Sequence, residues 1–213
     1  MQSLTRIALA LLAGLLLAAL ILVLALGDSS SAPGTASVSV APSSQFDGAA
    51  LPSRPAAPGF ALRDQAGRRV TLAEQRGHVT VMAFLYSSCG APCILIAQQI
   101  RGALDQLRKP PGVLLVSTDP RADTPARVRR FLAQVSLTGR VRYLTGAPAL
   151  LRRIWREYRV TPAAAGKAAF ALHATVLLID ARGRERVLFG AEQLTPEALA
   201  HDIGRLDGEP TGP

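Results

Sequence analysis

The chain has 213 residues, carries a net charge of +9 with a pI near 10.9, and contains only two cysteines. Its only lysines are Lys109 and Lys167, so the excess is arginine, spread over "RVRR", "LLRRIWRE" and "ARGRERV" rather than gathered in one tract. Such a balance fits nucleic acid, anionic lipid or an acidic partner. The export inferred below excludes nucleic acid and leaves solvated helix faces, or docking near a membrane surface or on an acidic partner.

The chain opens on residues 1–6, read as a short cytoplasmic N-terminus. From Ile7 to Leu26 no side chain is charged or polar. At about 1.5 Å per residue that run spans about 30 Å, the hydrocarbon thickness of a bilayer. A signal peptide's apolar region is usually about 7–15 residues, so length favours one transmembrane anchor, with cleavage after Leu26 as the alternative. Arg6 and the amino terminus precede the span, while the next basic residue after it is Arg54. That asymmetry places the body outside the cytoplasm, in a periplasm-like space where disulfides persist.

Residues 27–57, "GDSSSAPGTASVSVAPSSQFDGAALPSRPAA", lack an apolar period and read as a flexible tether. From Phe60 the pattern changes. "FALRDQAGRRVTL" predicts two short strands around a turn, and "HVTVMAFLY" a buried strand. "PCILIAQQIRGALDQLRK" predicts a helix stopped by "PPG", and "VLLVST" a second buried strand. "TPARVRRFLAQVS" opens a helix with Thr124 as N-cap and Pro125 at its first position. "VRYL" is a short strand, "APALLRRIWREYRV" a helix, "HATVLLID-ARG-RERVLFG" a strand pair, and "TPEALAHDIGRL" a last helix. Residues 207–213 read as a frayed tail. Strands alternating with helices, then a closing hairpin and helix, give an α/β sandwich with a mixed sheet. The roughly 150 residues of 58–206 suffice for one buried core.

Cys89 and Cys93 follow the buried strand and enter a helix, where open α/β sheets usually place their sites. Pro92 suits the first helical position and puts Cys93 in the first turn, where free N–H groups and the dipole favour a thiolate. Thiolates are both the nucleophilic and the metal-binding form. A stabilising staple is the weaker reading, because a loop of about five residues is worth only about 2 kcal/mol. The C-x-x-x-C spacing is one residue longer than that of thioredoxins.

Of three histidines, His78 lies at the far end of the cysteine strand and His201 on the last helix. His173 stands before "ATVLLID". If that strand runs antiparallel beside the cysteine strand, His173 faces the cysteines; on spacing alone, an ordinary strand-edge histidine is the stronger reading. Two thiolates and one imidazole are a soft, low-coordinate set that suits Cu(I) and also takes Cu(II), whereas structural zinc wants four ligands.

These segments, taken in order, resemble the Sco/SenC family of membrane-anchored copper proteins that assist cytochrome c oxidase assembly. The likeness covers about residues 58–206. It rests on "CGAPC", on "VSTDPRADTPARVRRF", which is similar to the family's "S-x-D-P-x-x-D-T-P", on "YLTGAPALLRRIWREYRV" and on "LHATVLLIDARGR". The resemblance implies a thioredoxin-like domain holding one copper ion through Cys89, Cys93 and His173; Cys89 and Cys93 are read as a redox disulfide pair as well, since bound copper requires reduced thiols. Asp119 and Asp123 match the acidic segment. Asp119-Pro120 suits a turn, and Asp123 a supporting or partner-contact role. Gly90 and Ile94 stand where the family usually has proline after each cysteine. The implied protein is a carrier rather than an enzyme, in a bacterial inner membrane and facing the periplasm. Its implied partners are a copper-receiving oxidase subunit and a thiol–disulfide reductase or another copper carrier. A membrane-tethered thiol–disulfide oxidoreductase is the second reading. A thiol peroxidase is a distant third, since the one tryptophan, Trp155, reads as a packing residue.

Overall fold

The computed structural model describes residues 45–162 and 175–209. The expected anchor at 7–26, the tether up to residue 44 and His173 lie outside the described residues. Among the described residues no helix is long and apolar enough to cross a membrane.

The molecule is built on β4 (Thr80–Leu85), whose six residues are all buried. Val81, Ala83 and Leu85 point into one apolar cluster, and Met82 and Phe84 into another on the opposite face. A strand covered on both sides reads as a continuous apolar run rather than an alternation, which is why "TVMAFL" is so apolar. It pairs in parallel with β5 (Gly112–Ser117), which pairs in parallel with β6 (Arg142–Leu144). On its other side β7 (Thr175–Ile179) runs antiparallel, followed by β8 (Glu185–Gly190) and the two-residue β1 (Ala49–Ala50). The sheet order is β1-β8-β7-β4-β5-β6, with β2 (Ala61–Arg63) and β3 (Arg69–Thr71) as a separate hairpin.

Helices α1 (Ala91–Gln106), α2 (Pro125–Gln134) and α4 (Pro196–Asp207) bury residues in the first cluster. Helix α3 (Pro148–Glu157) and the β2–β3 hairpin cover the second. The two Thr-Pro openings form as the sequence predicts. Thr124 accepts from Arg127 N and Thr195 from Ala198 N, each satisfying a free donor of the first turn. Helix α1 stops at Gln106, and Leu107 is already extended three residues before the Pro-Pro pair.

Two segments are more ordered than their composition predicts. Within the stretch read as a tether, Ala49 pairs with Leu188 and Ala50 with Val187. The backbone N–H groups of Asp47 and Gly48 donate to Asp202, a carboxylate with no exposed surface. The hydrogen-bonding need of that acid holds the segment down, which hydrophobic periodicity does not register. At the other end, Glu209 in the expected frayed tail pairs bidentately with Arg186. Arg186 is buried between Glu209 and Asp180 and requires both carboxylates there. That pairing holds the Glu209 carboxyl below the usual glutamate range.

Candidate metal centre

Tyr86 to Ser88 turn the chain out of β4, and Cys89 N donates to Tyr86 O at 3.2 Å. Gly90 follows at φ 82° and ψ −144°, a region open in practice to glycine alone. A proline, whose φ is fixed near −65°, cannot stand there. The loop therefore runs a course specific to its Gly-Ala-Pro insert. The helix begins at Ala91, and Pro92, lacking an N–H, occupies its first turn where no partner is needed. Cys93 is its third residue. The Cys89 and Cys93 Cα atoms are 5.8 Å apart and the side chains form a disulfide. Both are buried in the first apolar cluster. Around them the surface is small or apolar: Gly90 and Ala91 are exposed, as is Leu95 one turn along.

The floor of this loop is one carboxylate. Asp123, buried, accepts from Ser87 N at 2.7 Å, Ser117 Oγ at 2.5 Å and Tyr143 OH at 2.7 Å. It ties the cysteine turn, the end of β5 and β6 to the start of α2. Burial first, and then the nearby Asp123 charge, push the Tyr143 phenol well above its ordinary range, so it stays a donor. Burial, then Asp119 and Asp123, also push Tyr86 up. Asp119 makes its expected turn, with Oδ1 accepting from Arg121 N and Ala122 N. Two more hydroxyls at this edge, Ser87 Oγ and Thr118 Oγ1, are buried with no hydrogen-bond partner among the described residues.

The structure thus brings Cys89, Cys93 and Asp123 together, with Asp119 beside them on the β5–α2 connection. Strand β7 runs antiparallel to β4 with Ala83 opposite Val176, the arrangement on which the histidine reading depends. His78 is exposed. His201 lies with Asp47 and Asp202 in a group that could hold a cation, but both Asp202 oxygens already accept backbone N–H groups. Sequence reasoning missed Ser117 and Tyr143. Ser117 was visible as the serine of "S-x-D-P-x-x-D-T-P"; its bond to Asp123 shows that the segment's serine and second aspartate act as a pair. Nothing local flags Tyr143, whose partner lies 20 residues away.

A mixed central sheet with a cysteine pair between a buried parallel strand and a helix N-terminus defines a thioredoxin-like α/β protein. The SCO1/SenC family model matches residues 49–207, and the chain belongs to that family. A stretch of 107 residues is 29% identical to the protein SCO1 homolog 1, mitochondrial, of Arabidopsis thaliana, covering 47% of this chain and 31% of that one. The chain therefore matches about a third of that relative's length. Among solved structures, Bradyrhizobium japonicum ScoI with copper bound is 27% identical, with a TM-score of 0.54 over 71% of this chain and 99% of that one. Apo Sco1 from Thermus thermophilus is 20% identical, with a TM-score of 0.61 over 76% and 96% of the two chains. Yeast Sco1 with copper bound is 18% identical, with a TM-score of 0.62 over 74% and 96%. The last two share the fold.

Proposed function

We propose that this chain carries copper for assembly of the copper centre of cytochrome c oxidase, taking the ion as cargo on Cys89, Cys93 and His173. The observation that carries the reading is the cysteine pair at the first turn of α1 in a chain of the SCO1/SenC family. The copper-bound ScoI of Bradyrhizobium japonicum, 27% identical over nearly its whole length, supports it. The donor set fits: two thiolates and an imidazole suit Cu(I), the helix dipole favours the anion at Cys93, and burial excludes water. His173 stands two residues before Thr175, where β7 enters the sheet beside the end of β4.

The disulfide state does not hold the ion, because the thiolates that ligate metal are absent from it. A dithiol reductant must first deliver two electrons and two protons, becoming a disulfide itself, and leave two thiols. Copper entry then displaces the thiol protons. Asp123 holds the turn through Ser87 N, and Asp119 shapes the neighbouring connection; both position rather than ligate. The apolar run at 7–26 anchors the carrier in a bacterial inner membrane with the domain in the periplasm. Delivery proceeds by ligand exchange with an oxidase subunit.

The disulfide itself favours a second reading, a thiol–disulfide oxidoreductase. Copper analysis of the reduced full chain separates the two. One copper per chain is expected in the wild type, with loss in Cys89→Ser and His173→Ala. Stoichiometric copper that survives both substitutions ends the carrier reading. Disulfide reduction indifferent to His173→Ala supports the second.

A further inference from the structure

On the same end of the sheet as the cysteine turn lies a groove of about 880 Å³, between the β5–α2 connection and α3. Of the residues named at the cysteine site, Thr118 and Asp119 also line it. Its floor includes Thr118, whose backbone N–H donates to Leu85 O next to the cysteine turn. Trp155 also lines it, with its indole Nε1 fixed on Ser117 O at 3.0 Å so that the ring is held in one orientation. Val160 adds to the apolar side, and Arg121, Arg152 and Arg156 stand around it, against one acid, Asp119, whose Oδ1 already accepts from Arg121 N and Ala122 N.

Three features give the groove a ligand chemistry. First, these three arginines are exposed and no carboxylate pairs with them among the described residues, whereas the neighbouring Arg153 pairs with Glu157. Arg152 and Arg156 are four residues apart on α3, so they share a face. Second, Thr118 lines the groove, and its hydroxyl is buried with no hydrogen-bond partner among the described residues. Such a group costs stability unless something binds it. Third, the remaining segments of this chain do not supply the charge. Residues 163–174 contain Lys167 and no acid, and residues 1–44 contain only Asp28.

We propose that this groove docks an acidic, extended segment of a partner protein, with its carboxylates on Arg121, Arg152 and Arg156 and an apolar or proline side chain against Trp155. Arginine forks match carboxylates bidentately. The concave, aromatic floor fits an extended segment better than the flat face of a bilayer, whose headgroups would reach the arginines but not Trp155. Docking here sets the partner beside the cysteine turn. It does not depend on copper, so the proposal stands or falls separately from the carrier reading.

Trp155 is the only tryptophan of the chain, so its emission reports the groove directly. The probe is a peptide alternating Glu with Pro and Phe, titrated into the full chain in non-ionic detergent. Its Gln counterpart, and micelles of the same detergent doped with phosphatidylglycerol, are titrated in parallel. The Glu peptide is expected to shift Trp155 emission saturably. The pair Arg152→Gln and Arg156→Gln should weaken its binding by about tenfold, the size expected for losing charge-assisted hydrogen bonds at a half-desolvated rim. Thr118→Val should weaken it a few-fold. The pair Arg129→Gln and Arg130→Gln, which removes the same charge from the exposed face of α2, should leave it unchanged. Copper content should be the same in all variants. The proposal is overturned if the Gln peptide binds equally, if the α2 pair weakens binding as much as the α3 pair, or if only the phosphatidylglycerol micelles shift the emission.

Discussion

Asp123 receives hydrogen bonds from three parts of the chain: Ser87 in the cysteine turn, Ser117 at the end of β5 and Tyr143 in β6. Asp123→Ala strips two buried hydroxyls and one backbone N–H of their acceptor. Each orphaned group costs about 1–3 kcal/mol, with partial relief as water enters the space left. The expected loss is therefore about 3 kcal/mol in urea unfolding. Tyr143→Phe removes a single bond and should cost about 1 kcal/mol. Equal losses in the two variants would mean that the carboxylate is not the hub. The cysteines were legible at this scale because their chemistry is local to five residues. Asp123 was legible only because it sits in a segment that resembles a family pattern. Tyr143 was not legible: in "VRYL" it looks like any apolar strand residue, and a hydroxyl's distant partner leaves no trace in periodicity.

Elements whose signals are local read correctly. Thr124-Pro125 and Thr195-Pro196 open helices because a cap and a fixed φ act within one turn. The β1 strand carries no such signal, since "AA" has neither β-branching nor alternation and its register comes from β8, far along the chain. Gly102 in α1 misleads in the opposite direction. In the middle of a helix it looks like a defect, about 1 kcal/mol worse than alanine. A Cβ built there would lie 2.9 Å from both Cβ and Cγ of Pro196, the first residue of α4. A proline ring cannot rotate out of the way, so α1 and α4 would have to separate. Overpacking of this kind costs about 1–3 kcal/mol, which exceeds the propensity gain. Gly102→Ala should therefore lower the melting temperature rather than raise it. A rise would show that the two helices slide apart at little cost.

For the whole molecule, the α/β layering and mixed sheet were legible because alternating strand and helix patterns allow few packings. The outer edge was not, because it is held by polar groups: Asp202 under residues 47–48, and Arg186 between Asp180 and Glu209. The same separation of apolar core from polar fastening determines what reduction of the disulfide does. Cys89 and Cys93 sit in a cluster that also holds Leu85, Ile96, Val128 and Phe131. Burial of the sulfurs does not need the bond between them. Closing a loop of about five residues restrains the unfolded chain by only about 2 kcal/mol. For a domain of this size each kcal/mol is worth about 2–4 °C, so reduction should lower the melting temperature by about 4–8 °C and leave a cooperative transition. Thermal melts of the full chain with and without a phosphine reductant measure this. A reduced chain that loses its cooperative transition would make the disulfide a staple after all, and a thiol pair that unfolds its own domain could not wait, open and empty, for an ion.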